Sequence, residues 1–240
     1  MNGVLVTDKP AGWTSHDVVA AVKKKLGAKK VGHLGTLDPM ATGVLPLVIN
    51  GATKYADALG AGTKEYSVAL LLGSSTDTYD SSGKVTGSGP VDTVTPGAVV
   101  RALSGFTGRI TQLPPMYSAV KRNGVPLYRL ARKGVTVERE PREAEVFSLV
   151  VTGVALPVVR FTAVCSRGTY VRSICHDLGE SLGCGAHMTS LVRTRSGCFT
   201  LEGAVSPGVP AEELAGRIIP LEEALEMTRQ SSPEEPAATA

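Results

Sequence analysis

Apolar and polar positions change period several times along the chain, and each change marks an element. Gly3–Thr7 is an unbroken apolar, β-branched run that stops at Asp8-Lys9-Pro10 and predicts a short buried strand. Past Ser15, read as an N-cap, Val18, Val19 and Val22 recur at helical spacing. They predict a helix from His16 to about Leu26, closed by Gly27. Val44–Ile49 reads as a strand ending at the turn signal Asn50-Gly51, and Lys64–Leu72 alternates as a long strand does. Ala144–Val154 and Val158–Ser166 read as paired strands. Helices are predicted over Lys54–Leu59, Pro96–Leu103, Leu127–Arg132 and Tyr170–Leu182. Three stretches lack periodicity: Val31–Thr42 predicts an ordered loop, Ser74–Gly89 a surface loop and Gln112–Gly124 an irregular excursion. Strands and helices mix without a βαβ repeat, so the expected class is α+β on a mixed, mostly antiparallel sheet.

Composition narrows this picture. A chain of 240 residues, 42% hydrophobic and 20% charged, fits an ordinary globular protein with one large domain or two small ones. No apolar run approaches the ~20 residues that span a bilayer. The start of the chain lacks the features of a signal peptide, so a cytoplasmic protein without a membrane partner is expected. The net charge of +3 is unevenly spread. Residues 1–201 hold 23 Lys/Arg against 14 Asp/Glu, a balance of +9, whereas residues 202–240 hold 2 against 8, a balance of −6. A basic body suits a polyanionic partner; a solvated lysine surface would look the same on charge alone. Residues 101–142 concentrate nine Lys/Arg against two Asp/Glu, with Tyr117 and Tyr128 interleaved, a pattern that suits phosphates and unstacked RNA bases.

The segment that carries most chemistry is Gly32-His33-Leu34-Gly35-Thr36-Leu37-Asp38-Pro39-Met40-Ala41-Thr42-Gly43. Its glycines let the backbone turn tightly and approach a ligand, and its one carboxylate is restricted by the proline that follows. Taken alone, Asp38 reads better as a turn cap than as a reactive group. Cys175-His176 and Cys184-x-x-His187, with Cys165 and Cys198, raise the question of zinc, but the spacing fits no standard finger or ribbon. No dinucleotide or Walker loop is present in the sequence.

This loop resembles the catalytic motif of the TruB family of tRNA pseudouridine synthases, and further segments resemble that family's motifs in the same order. They are Asp8-Lys9-Pro10, Lys64-Glu65-Tyr66, Pro115-Met116-Tyr117-Ser118-Ala119-Val120-Lys121, Leu127-Tyr128 through Gly134, Ser166-Arg167-Gly168-Thr169-Tyr170-Val171-Arg172, Leu182–His187, and Leu191 with Arg193–Gly197. The resemblance runs from about Gly3 to Leu225. It implies a sheet cleft by a central RNA-binding groove, with a thumb-like insertion at about 112–142 inside one catalytic domain, 1–226. It also implies isomerisation of uridine at position 55 of the tRNA T loop without metal or organic cofactor, by a stand-alone monomer of the bacterial type whose partner is the T arm of tRNA. Residues 227–240 are expected to form a disordered acidic tail. The small C-terminal RNA-binding domain (PUA-like) usual in bacterial relatives is expected to be absent. Val192 stands where relatives tend to show an arginine.

The resemblance assigns roles. Asp38 is the catalytic carboxylate, Arg172 its cationic partner, and Tyr66 stacks on the flipped uracil and helps move the C5 proton. Arginine suits a carboxylate because it stays charged and pairs in a planar fork. Among the substrate-binding residues, His33 occupies the space the base vacates, Tyr170 and Leu191 form apolar walls, and Lys9 braces the catalytic loop. Lys121, Arg122, Arg132 and Lys133 grip the backbone. The route at the sugar C1′ or at C6 of the base stays open. So do two other activities, an RNA chaperone in which catalysis is secondary and, less favoured by the basic thumb, a nucleosidase.

Overall fold

The computed structural model describes residues 1–231. In chain order the first elements are β1 (Gly3–Lys9), α1 (Ser15–Leu26), β2 (Val31–His33), β3 (Thr42–Ile49), a 3-10 turn over Asn50–Tyr55, α2 (Ala56–Leu59) and β4 (Lys64–Leu72). There follow β5 (Ser74–Thr76), β6 (Val85–Ser88), α3 (Pro96–Ser104), β7 (Gly108–Gln112), β8 (Lys121–Arg122), β9 (Val125–Pro126) and α4 (Leu127–Ala131). The chain continues through β10 (Arg142–Ala155), β11 (Val158–Cys165), α5 (Val171–Ser181), β12 (Ala186–Ser196), β13 (Phe199–Thr200), α6 (Ala211–Gly216), β14 (Ile219–Pro220) and α7 (Leu221–Ser231). The class is mixed α+β with a large, mostly antiparallel sheet, as the periodicity predicts. The described chain divides into two compact units. One combines residues 1–66 with those from Val192 onward, and the other is the continuous segment Ser67–Leu191.

In the first unit the strand order is β14-β1-β3-β12. β1 runs antiparallel to β3 in an unbroken register from Gly3↔Ile49 to Lys9↔Gly43. β12 joins β3 in parallel through Val192↔Thr42 and Arg193↔Gly43. That last pair explains a glycine. Gly43 has φ +98°, and a Cβ there would sit 2.3 Å from the Arg193 carbonyl oxygen, so no other residue fits so close a backbone. Val4, Val6, Leu34, Val44, Val48, Leu59 and Phe199 bury their side chains in one cluster, against which Leu221 and Leu225 of α7 pack. The apolar run of β1 is thus buried on both faces, which is why it reads as continuous rather than alternating.

The second unit is built on the order β4-β11-β10-β7, with β10 antiparallel to both neighbours. α3 packs against β10 and α5. Val99, Leu103, Val146, Phe161, Ile174 and Leu178 are buried.

Several expectations need correction. Thr14, not Ser15, caps α1: its side chain accepts from Asp17 N while Asp17 accepts from Thr14 N, a reciprocal box. Ser74–Gly89 is not a plain loop but the short hairpin β5/β6, paired Ser74↔Ser88 and Ser75↔Gly87. Ser and Thr there satisfy a two-stranded ladder without any apolar alternation. Val31–Thr42 begins with β2, paired along β3. Lys54–Leu59 is 3-10 turn before it is α-helix. α7 continues to Ser231, beyond the expected start of the tail, and within it Thr228 is buried with its hydroxyl on the Ala224 carbonyl. The remainder of that tail lies outside the described residues.

Candidate active site

Asp38 lies in the loop between β2 and β3, and both neighbours of Asp38 are pinned. On one side Leu37 is buried, and Ser15 Oγ both accepts from Leu37 N at 2.8 Å and donates to Leu37 O at 3.1 Å. On the other side Pro39 O accepts from Gly12 N at 2.8 Å and from Lys9 Nζ at 3.1 Å. Asp38 O closes the turn by accepting from Ala41 N at 3.0 Å. Leu34 and Ala41 anchor the ends of the loop in the core. The hydroxyl misread as a helix cap is therefore a loop anchor. The carboxylate itself stays partly exposed.

Lys9 is the second element of this site. It is fully buried at the end of β1, and its ammonium donates to the carbonyls of Pro10 at 2.9 Å, Trp13 at 2.6 Å and Pro39 at 3.1 Å. Three donors meet three acceptors, so every polar contact an ammonium can make is used. Burial pushes its pKa down to about 8, opposed by the pull of Asp38 and Asp17. The Lys9 ammonium thus ties β1 to the Asp38 loop through Pro39 O.

Arg193 is the group that sequence reasoning missed. It is buried on β12, donates Nε–H to Val44 O at 2.7 Å and Nη2–H to Gly35 O at 3.1 Å, and shares a hydrogen bond with the Tyr66 side chain. Burial pulls its pKa down and Tyr66 pulls it back up. The available signal was a cation on the inward parity of a strand whose alternate residues are buried. Tyr66 is buried, as a base-stacking wall or a core residue would be. His33 is half-buried, with no partner for Nδ1 among the described residues. Burial and the charge of Arg193 hold its imidazole below the ordinary range.

The second unit holds Arg172, on the first turn of α5. It is buried rather than surface-exposed. It donates Nη1–H to Thr78 O and Nη2–H to Tyr117 O, both at 2.8 Å, and pairs with Asp80 at 3.8 Å. Asp80 also accepts from Thr78 Oγ1 at 2.8 Å and from Ser82 N at 2.9 Å. This carboxylate was also overlooked; the polar run Thr76–Gly83 reads as loop until its hydroxyls are seen to converge on one acid. Tyr170 is fixed by Gln112, whose amide takes both backbone groups: Tyr170 N donates at 2.9 Å, and Gln112 Nε2 donates to Tyr170 O at 3.1 Å. Leu191 is buried.

In the thumb segment Lys121, Arg132 and Lys133 are exposed, and Arg132 lies 5.4 Å over the Tyr128 ring. Arg122 donates to Glu138 O and Arg139 to Pro114 O, so these two arginines stitch the insertion to itself. Arg122 therefore has a structural tie where a phosphate contact alone was expected. Cys175 is buried, and burial pushes its thiol up, away from the thiolate a metal needs. Among the described residues no group of three or more His, Cys, Asp or Glu could hold a metal ion.

The chain matches the family described as "TruB family pseudouridylate synthase (N terminal domain)" over residues 23–171 and "tRNA pseudouridylate synthase B C-terminal domain" over residues 172–226. It is 56% identical over 206 residues to tRNA pseudouridine synthase B of Geobacter sulfurreducens, covering 86% of this chain and 68% of that one. With the same enzyme of Opitutus terrae it shares 47% over 228 residues, 93% of this chain and 95% of that one. Among solved structures, a Cbf5-Nop10-Gar1 complex superposes with a TM-score of 0.71 at 34% identity, covering 94% of this chain and 62% of that one. The chain belongs to the TruB family of tRNA pseudouridine synthases. It spans about two thirds of the length of its Geobacter relative and slightly less of the solved one.

Proposed function

We propose that the chain converts the uridine at position 55 of the tRNA T loop into pseudouridine, with Asp38 as the reactive carboxylate. The reaction breaks the N1–C1′ bond, turns the uracil, and rejoins it through C5. The observation that carries the reading is the fixing of Asp38. Leu37 and Pro39 are each held through the backbone, so Asp38 is presented on a rigid loop. Such fixing suits a group that must meet one sugar carbon within a fraction of an ångström. Tyr66 fits the role of the residue against the base, His33 that of the group entering the vacated stack, and Tyr170 and Leu191 those of apolar walls. Swinging the uridine out costs a few kcal/mol, which contacts to the flipped base and to the RNA backbone repay. Incubating the protein with an unmodified tRNA transcript and mapping pseudouridine tests the assignment. Modification at position 55 is expected; a tRNA left unmodified at enzyme excess overturns it.

The same reading makes the thumb a backbone grip. Neutralising Lys121, Arg132 and Lys133 together spares the Arg122 and Arg139 ties and is expected to leave the insertion folded. Each phosphate contact adds ~0.7–0.9 to the slope of log affinity against log salt, so the slope should flatten by about two units. Filter binding across a salt series measures it. An unchanged slope would mark this segment as a solvated face and turn attention to Lys23–Lys30.

A further inference from the structure

We infer that Trp13 is a substrate-contacting residue whose indole stacks on an unstacked nucleotide of the RNA loop beside the target uridine. The inference rests on the pseudouridine reading and adds to it a contact for a neighbour of the reacting base. Trp13 is the only tryptophan of the chain and lies in the turn between β1 and α1. Its backbone is fixed as firmly as that of Asp38, and by the same group. The Lys9 ammonium donates to Trp13 O at 2.6 Å and to Pro39 O at 3.1 Å. Trp13 and Pro39, the residue after Asp38, thus hang on one nitrogen. Gly12 N donates to Pro39 O at 2.8 Å, and Gly12 turns the chain there with φ +82°. On the other side Thr14 is locked in the reciprocal cap, its N–H donating to Asp17 Oδ2 at 2.8 Å.

The indole itself is left outside this frame. It is 38% exposed, and its N–H makes no hydrogen bond among the described residues. Ala11, Gly12 and Thr14 around it are small and exposed, so the ring stands alone rather than in an apolar patch of the kind a protein partner covers. The surface that continues from it is cationic. α1 buries Val18, Val19 and Val22 and exposes His16, Ala20, Lys23 and Lys24 at helical spacing. From His16 to Lys24 the helix rises about 12 Å, close to the rise of three to four stacked nucleotides. Lys25 is different, because its ammonium donates to Gly208 O and Val209 O and so ties α1 to the rest of the first unit. Asp17, the acid of the first turn, spends its carboxylate on Thr14 N and Thr14 Oγ1. α1 packs against β2, which carries His33, and the charge of His16 is felt there. A rigid ring followed by exposed cations suits one strand of nucleic acid, the ring taking a base and the ammonium groups the phosphates.

A sole tryptophan makes the contact directly visible. Titrating the parent with an unmodified T-arm stem-loop transcript is expected to quench its intrinsic fluorescence saturably. A blunt RNA duplex of equal charge offers no unstacked base and should bind without that quench. Trp13→Ala should weaken stem-loop binding by on the order of tenfold. Stacking releases no counterions, so the slope of log affinity against log salt should stay as in the parent. Trp13→Phe keeps a ring and should recover most of the affinity. Emission that ignores the stem-loop, or responds equally to the duplex, overturns the inference, as does a Trp13→Ala variant that binds like the parent. If Trp13→Ala fails to fold, the emission of the parent decides alone. Where the parent forms pseudouridine in the stem-loop, these failures leave the functional reading standing. A parent that shows the quench but leaves the uridine unmodified overturns the functional reading, while the RNA contact stands.

Discussion

Asp38→Asn is expected to lose pseudouridine formation by on the order of 10⁴-fold or more while binding tRNA within a few-fold of the parent. The substitution keeps the shape of the side chain and removes the charge that C1′ or C6 chemistry needs. The loop should not move, because Ser15, Gly12 and Lys9 hold it through the backbone of Leu37 and Pro39. Single-turnover assays at saturating tRNA, with affinity measured separately, distinguish the two effects. Turnover within a few-fold of the parent would show that another group does the chemistry.

Arg172→Ala carries the second large effect, and part of it is structural. Arg172 and Asp80 are both 5% exposed at the side chain, and the guanidinium also holds Thr78 O and Tyr117 O. Removing it strands a buried carboxylate, which costs about 3–5 kcal/mol. For a protein of this size each kcal/mol lowers Tm by ~2–4 °C, so a fall of at least ~6 °C is expected. Asp80→Asn in the Arg172→Ala background should recover part of the loss, since the stranded charge is then gone. Arg172→Lys keeps a charge but cannot reach both carbonyls as a planar fork can, and should fall between in stability and well below the parent in activity. A melting curve unchanged by Arg172→Ala would show that the ion pair and both hydrogen bonds contribute nothing net.

How far the sequence reaches can be read from particular residues. Helices and strands with strong periodicity, such as α1, β4 and the pair β10/β11, were legible because burial on one face writes itself into the spacing of apolar residues. Ser15 was legible as a special residue but not in its role, since a serine before a helix looks alike whether it caps the helix or reaches across to Leu37 O. Arg193 and Asp80 were not singled out as functional residues, because a buried ion is recognised by partners distant in sequence: Gly35 for one, Arg172 for the other. Asp38 and Tyr66 came from the resemblance. Composition alone left Asp38 a turn residue and Tyr66 a core tyrosine.

The discontinuous make-up of the first unit has a consequence for how the chain is born. β1 emerges from the ribosome before β12 and β14, which its sheet also needs and which lie beyond the intervening segment Ser67–Leu191. At ~5–20 residues per second, that roughly 125-residue segment takes about 6–25 s to synthesise. The nascent Gly3–Ile49 region, with its two apolar strands, must wait that long for its last neighbours, while the later-made middle of the chain has all its own strands to hand. A holdase that recognises extended apolar segments would meet this protein at the Gly3–Ile49 strands, and slowing translation between Tyr66 and Val192 should lengthen that encounter.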